Sequence, residues 1–386
     1  MIRSTAVNLR FTEEQELLRR SIREFAETEI RPHVREWDEA QHFPPDLRSK
    51  LAALGLMGIQ FSEEYGGAAM SAVDYCICIE ELARVDPSIC LSVAAHNGLG
   101  AAHSAAFGTD EQRRRYLVPL ARGEQLAAWG LTEASAGSDA AAIRTTAVRD
   151  GERWVIDGTK QFITHGQTGD LIVVMAVTAR GKGSRGISAF IVERGTPGFR
   201  AGWTKDKLGM RASETSEVIF EQCRVPASQL LGAEGQGFIN AMQVLDAGRI
   251  GIAALAVGLA QGAYDAARDY AFTRRQFGQP IGTFQSIRAK LVEHAGRIEA
   301  ARLLTFRAAS MRDQGRRTTL EAAMAKLYSS ETAVRAAEDG VQIFGGYGFV
   351  KDYPAEKYFR DVKLTTIGEG TSEIQRLVIA RQLLAA

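Results

Sequence analysis

The hydropathy period of the chain switches twice, and that double switch constrains the fold more than any single residue does. From Thr12 to about Gly130 apolar residues recur at helical spacing; between about Gly130 and Leu231 the period falls to two; after Gly232 and Gly235 the helical period returns. A chain of 386 residues exceeds one small core, and about 150 residues per domain gives two or three domains. The expected fold is mainly α with a central β domain. It comprises an N-terminal α-helical domain over 1–129, a middle β-barrel domain over 130–231 and a C-terminal α-helical bundle over 232–386.

In the first third, Thr12 and Gln15 form a capping box, and Leu17, Leu18, Ile22, Phe25 and Ile30 make one helix that runs to Pro32. Pro44 and Pro45 open a second helix with a Leu47, Leu51, Leu54 stripe. A turn at Tyr65, Gly66 and Gly67 precedes a helix over 73–82, and Pro87 starts another carrying Ile89, Val93 and Leu99. In the middle third, 153–157, 171–177, 187–193, 217–220 and 223–226 read as strands separated by Gly-containing turns, which suits a small barrel or sandwich. In the last third, helices over 238–272, 286–312, 320–344 and 372–384 make a four-helix antiparallel bundle.

Forty-seven Lys and Arg against 46 Asp and Glu leave a net charge of +1, so bulk electrostatics offers no case for nucleic acid or a membrane surface. Cys76, Cys78, Cys90 and Cys223 show neither CxxC nor Cys/His spacing, so no metal site or disulfide framework is expected, and their scarcity suits a reducing cytosol. The first residues lack a secretory apolar segment. A cytoplasmic location is expected, or the mitochondrial matrix if Arg3 and Arg10 belong to the remnant of a transit peptide. No run of 18 apolar residues marks a transmembrane helix.

Five stretches could carry chemistry. In 130–139, small and hydroxyl residues would let backbone N–H groups approach a flat or anionic ligand, although a plain linker has the same composition. It has neither the phosphate-loop Lys nor GxGxxG spacing. Gln161, Phe162, Ile163 and Thr164 end a strand with a ring beside a hydroxyl, suited to stacking on a cofactor or to core packing. Asp246 and Arg249, three apart on the long helix, are an ordinary ion pair or a functional cation with its partner. Gln342 to Gly348 places three glycines after a helix, which ends the helix and exposes backbone. Glu369 lies between Gly368 and Gly370, ahead of a Ser372/Gln375 capping box. It is an exposed loop residue or a base reaching a substrate.

GLTEASAGSDAAA, QIFGGYGFVKDYPAEKYFRD, LDAGRIGIA, RRQFGQPIGTFQ and IGEGTSEIQRLVIAR occur in the order and context of the acyl-CoA dehydrogenase family. The chain resembles that family over nearly its whole length, and most of all its short-chain (butyryl-CoA) branch. The resemblance implies FAD as cofactor, an acyl-CoA substrate, electron-transferring flavoprotein as partner and a homotetramer working in fatty-acid or branched-chain amino-acid catabolism. It implies that Leu131, Thr132, Ala136, Gly137 and Ser138 contact flavin, Ser138 also lying near substrate, and that Phe162, Ile163 and Thr164 lie against the ring system. Arg274, Phe277, Gln285, Gln342, Ile343, Phe344, Gly345 and Gly346 match positions at the FAD of a neighbouring subunit, and Thr371 and Glu373 match FAD contacts after the base. Ser184, Arg185, Asp246 and Arg249 match the CoA thioester path.

Glu369 matches the catalytic base, with Gly368 and Gly370 beside the substrate. A variant branch places the base just before the residue equivalent to Arg249, but Gly248 stands there. The family's mechanism would have Glu369 take the α-proton while hydride leaves Cβ for flavin. The Glu369 N–H and a ribityl hydroxyl would stabilise the enolate oxygen. Gly368 departs from the family's usual Tyr and implies room for a short acyl group, branched or bulkier near Cα and Cβ; Glu373 stands where some members have Gln. An oxidase or monooxygenase on the same fold, or a catalytically silent binding member, are the alternatives.

Overall fold

A computed structural model describes residues 11–384. Arg3 and Arg10, on which the transit-peptide reading turned, lie outside the described residues. The described chain forms two compact units that cut across the three-part order of the sequence. One holds the chain up to Val34, Ser71–Cys90 and everything from Arg249 onward; the other holds Arg35–Met70 and Leu91–Gly248.

The second unit is organised by a mixed sheet: β1 (Ala127–Gly130), β2 (Thr146–Asp150), β3 (Arg153–Thr164), β4 (Leu171–Val177), β5 (Ile187–Glu193), β6 (Phe199–Thr204), β7 (Thr215–Pro226) and β8 (Leu230–Leu231). Its order is β6-β7-β3-β2-β4-β5-β8, with β1 parallel to β4. The unbroken apolar runs of β4 and β5 are explained by burial on both faces. Leu171, Val173 and Met175 join Ile187, Ala189 and Ile191 in one core with Tyr116, Leu117 and Leu120, while Ile172, Val174 and Ala176 join Phe190 and Val192 in another with Trp154 and Phe220.

The segments 217–220 and 223–226, expected as two strands, are one strand. A bulge at Gln222, with φ +50, interrupted the alternation. β2 and β6 were not anticipated; each has one face largely exposed, which weakens the apolar signal.

The first unit is helical. Thr12 and Gln15 close the expected capping box on Glu13–Phe25. Pro32 does not end the helical path: wide and tight turns over Ala26–Ile30 and Arg31–His33 carry it into Val34–Ala40. In the helix Pro45–Ala53 of the second unit, Leu47 and Leu51 are buried, but Leu54 caps the end and is 38% exposed.

The 37-residue helix Gly237–Thr273 is long and apolar enough to cross a membrane, yet 78% of its most apolar window is buried inside the protein. The apolar stretch therefore serves a protein core. Within the first unit, its small residues admit the backbone of helix Ala72–Val85. A Cβ at Gly258 would lie 2.2 Å from the Glu80 carbonyl oxygen, and one at Gly262 2.2 Å from that of Arg84. Helices Gln285–Asp313, Thr319–Phe344 and Ser372–Leu384 complete the bundle, and Ala355–Val362, too short and charged to stand out in the sequence, adds another.

Candidate active site

Each unit carries its own set of the expected residues. In the second unit, β1 leads into the loop 131–139, which is anchored from its ends. The Leu131 carbonyl accepts from Lys160 Nζ at 3.1 Å, and the Thr132 carbonyl accepts from the Gln161 N–H at 2.8 Å. Glu133 and Ala136 exchange backbone hydrogen bonds at 3.0 and 3.1 Å. This leaves Leu131 and Ala136 buried, Thr132 half-buried and Gly137 and Ser138 exposed, with no atom within 4 Å of a Cβ built at Gly137.

The anchor is an ion pair that the sequence reading missed. Lys160 is wholly buried and its Nζ lies 2.7 Å from Glu133 Oε1. The Glu133 carboxylate also accepts from the Thr145 N–H and hydroxyl and from the Arg144 N–H. Burial pushes the Glu133 carboxyl upward, but Lys160 and these donors together hold it below its ordinary value. Burial draws the Lys160 ammonium down to about 8, with Glu133 opposing. The signal was parity: Lys160 occupies an inward position of β3, beyond the 153–157 alternation that was used.

At the end of β3 the pairing steps from Lys160↔Val218 to Ile163↔Ser216, so two residues of β3 face one of β7. Phe162 occupies this bulge with φ +59 and stands 66% exposed, while Ile163 on its other side is buried at 2%. A left-handed aromatic residue costs on the order of 1–3 kcal/mol, and here it turns a ring outward beside half-buried Thr164. Of the remaining positions in this unit, Ser184 is half-buried and Arg185 exposed in the turn Gly183–Gly186, and Asp246 is half-buried on the long helix.

In the first unit, Arg249 and Glu369 do come together. The residue Glu369 is half-buried, but its carboxylate oxygen Oε2 is fully enclosed and has no hydrogen-bond partner. Burial raises this carboxyl to about 7, against the opposing pull of Lys326 and Arg249. Arg249 is 6% exposed and Lys326 wholly buried. Lys326, on Thr319–Phe344, was not singled out from the sequence, although a Lys set among small residues in AAMAKLYSS is an unusual sight on a core helix.

Glu369 and Gly370 are both left-handed, with φ +53 and +93, so the candidate base sits at a strained turn. The expected Ser372/Gln375 box is not formed: Thr371 caps the last helix, its Oγ1 accepting from the Ile374 N–H at 3.3 Å. Ser372 Oγ is buried without a partner. Gln375 Nε2 reaches back to the carbonyls of Glu369 and Gly370, at 3.3 and 2.9 Å. Gly368 is not crowded, since a Cβ there would meet only Leu364 atoms, the closest at 3.6 Å. Glu373 is exposed in the first turn of that helix.

Phe277 sits at the tip of a tight hairpin between β9 (Arg275–Gln276) and β10 (Gln279–Pro280), with φ +51, and is 92% exposed. Arg274 lies over the Tyr347 ring, and Gln285, Gln342, Gly345 and Gly346 are exposed. Ile343 and Phe344 differ: both are buried, with Phe344 stacked on Tyr270 at 4.1 Å. Their side chains belong to the core, and only their backbone is left for a ligand.

The chain matches family models described as acyl-CoA dehydrogenase N-terminal domain over residues 12–124, middle domain over 128–223 and C-terminal domain over 235–384. It is 46% identical over 377 residues to a short-chain specific acyl-CoA dehydrogenase of Clostridium acetobutylicum, covering 98% of this chain and 100% of the relative. Butyryl-CoA dehydrogenase from Megasphaera elsdenii superimposes with a TM-score of 0.96 at 40% identity, over 98% of this chain and 100% of that one. A chain in a structure described as the electron transferring flavoprotein of Acidaminococcus fermentans superimposes with a TM-score of 0.97 at 45% identity, over 98% and 100%.

Proposed function

The chain belongs to the acyl-CoA dehydrogenase family, and on that premise we propose that it converts a short-chain, branched acyl-CoA to the trans-2-enoyl-CoA with Glu369 as base. The observation that carries this reading is the enclosed, unpartnered Oε2 of Glu369, whose carboxyl is raised to about 7. A carboxylate without a partner accepts a proton more readily than one satisfied by donors, and a value near neutrality suits proton transfer at physiological pH. Arg249 and Lys326 keep enough of the group ionised to act.

The family is FAD-dependent, and the chain's residues fit that cofactor. An exposed, strained aromatic at 162, a hydroxyl at 164 and a loop of small residues at 131–138 offer a flat face, a donor and open backbone. When bound, FAD supplies the acceptor for the hydride that leaves Cβ as Glu369 takes the α-proton, giving the carbon–carbon double bond. Thr132 and Ser138 would hold and orient it, and the Glu369 N–H would donate to the thioester oxygen as charge develops there. Ser184, Arg185, Asp246 and Arg249 would line the path of the CoA ester. Electron-transferring flavoprotein is the proposed acceptor, which the Acidaminococcus fermentans neighbour supports. A homotetramer is the proposed assembly, supported by the exposure of Phe277, Gln285, Gln342 and Gly346 on the single chain.

The test is anaerobic titration of the yellow holoprotein with linear, branched and aromatic acyl-CoAs, following flavin bleaching. A branched short-chain ester should bleach it fastest, and Glu369→Gln should lower turnover by about 10²–10⁴-fold. If no acyl-CoA bleaches the flavin, or the Gln variant keeps full activity, the reading is wrong. Gly368→Tyr should harm branched substrates more than linear ones, because a Cβ at 368 meets only Leu364 and a ring built on it would take up room beside Glu369; equal losses would remove the branched assignment alone.

A further inference from the structure

We propose that Lys326 is a positioning residue for Glu369: it holds the left-handed turn that carries the base, and its buried charge keeps the carboxylate available as an acceptor. The inference rests on Glu369 being the base. Lys326 is wholly buried, and its Nζ donates to the Gly370 carbonyl at 2.7 Å, one residue beyond the base. One turn further along the same helix, Ser330 Oγ donates to the Thr365 carbonyl at 2.8 Å. Helix Thr319–Phe344 thus grips the segment on both sides of Glu369, and Gln375 holds the Glu369 and Gly370 carbonyls from the last helix.

Every one of these contacts goes to backbone or to a neighbour of the base. The carboxylate oxygen Oε2 is spared. A lysine reaching Glu369 directly would satisfy that oxygen and blunt it; one residue along, Lys326 lends its field without taking the lone pairs. A buried ammonium is costly, and an ordinary core helix would carry an apolar residue at this position.

The titratable and charged groups around the base come from four helices. Lys326 stands on Thr319–Phe344, Arg249 on Gly237–Thr273 and Tyr75 on Ala72–Val85, while Glu373 on Ser372–Leu384 acts on Lys326. Burial and Glu369 push the Tyr75 phenol up, so it stays neutral, and Glu373 favours the Lys326 ammonium; among the described residues Lys326 and Arg249 are the cations that favour a negative Glu369.

The test is Lys326→Met in the holoenzyme. Losing one of two nearby positive charges should move the acidic limb of the kcat profile to higher pH by about one unit or more, lowering turnover about tenfold on the acid side. Isotope-edited infrared titration of the oxidised protein without substrate should show the same displacement of the carboxyl band that Glu369→Gln removes. An unchanged limb and an unchanged band midpoint would overturn the proposal, even if kcat fell. If Glu369→Gln retained turnover, the base assignment itself would fail, whatever Lys326→Met did. Should Lys326→Met not fold, Lys326→Gln keeps a donor for the Gly370 carbonyl and loses the charge, and the same shift is expected. Failure of both to fold would make Lys326 a folding residue and overturn the proposal.

Discussion

Two buried lysines, one in each unit, are drawn down by burial to about 8, and each has a glutamate close by, yet the two glutamates are opposites. Glu133 receives Lys160 directly and three further donors, and its carboxyl lies below the ordinary value. Glu369 receives no donor at Oε2, its lysine being spent on the next residue's carbonyl, and its carboxyl is raised to about 7. Residue type and partner type are the same, but the two carboxyls differ in how far burial is offset. At Glu133 the lysine and the donors outweigh burial; at Glu369 burial outweighs the pull of Lys326 and Arg249, and the lysine's donor goes to the next residue's carbonyl.

Removing each carboxylate tests that contrast. Glu369→Gln is expected to abolish most turnover with the fold retained, as read by anaerobic flavin bleaching and circular dichroism. Glu133→Ala is expected to do the reverse in kind. It leaves Lys160 as an uncompensated buried charge and frees two backbone N–H groups, lowering stability by about 3–5 kcal/mol in urea denaturation. Loss of turnover in Glu133→Ala at full stability would break the comparison.

The pH dependence of stability sharpens it. The folded state holds the Glu369 proton more tightly than the unfolded chain does, at about 7 against 4.5. The stabilisation linked to that proton is complete below about pH 4.5 and is lost as pH rises through 7, where the folded protein must keep a buried charge. Glu369→Gln should therefore raise stability at pH 8 by on the order of 3 kcal/mol and change it little at pH 4.5, in melting curves at the two values.

The smallest effects concern the helix that follows Glu369. Thr371→Ala should cost about 1 kcal/mol of stability as the cap is lost, while Ser372→Ala, whose hydroxyl has no partner, should stay within about 0.5 kcal/mol. Equal costs would restore the Ser372 cap.

Much of the architecture was legible because periodicity reports burial. The long helices match their expected spans within a residue or two, and β4 and β5 stand where their apolar runs are. What escaped was decided by contacts distant in sequence. Pro32 reads as a stop, but its missing N–H falls in a turn that needs none. Ser372 and Gln375 have capping-box spacing, yet Gln375 is committed to carbonyls on its N-terminal side and Thr371 takes the cap. Glu369 was legible as a candidate from its glycine neighbours and the motif around it. Lys326 and Lys160 were not, because a buried lysine declares itself only through the acceptors that the fold brings to it. Ile343 and Phe344 illustrate the converse: a motif marks a segment, and packing decides which of its side chains face outward.

The bulge that exposes Phe162 has a counterpart. On the β3–β7 ladder, paired positions run from Ile156↔Cys223 to Gly158↔Phe220, an extra residue on β7, and then from Lys160↔Val218 to Ile163↔Ser216, an extra residue on β3. The second slip cancels the first, so Thr164↔Thr215 continues the register that Arg153↔Pro226 began. Single-residue deletions on this ladder are therefore not equivalent to substitutions of the same residues. Losing one of 161–162, or one of 221–222, would remove a bulge and leave plain alternation with Ile163 and Phe220 still inward, whereas losing a residue elsewhere on the ladder would exchange inward and outward faces beyond it. Outside the two bulges, chain length between 153 and 164 is thus under tighter physical constraint than most side chains within it.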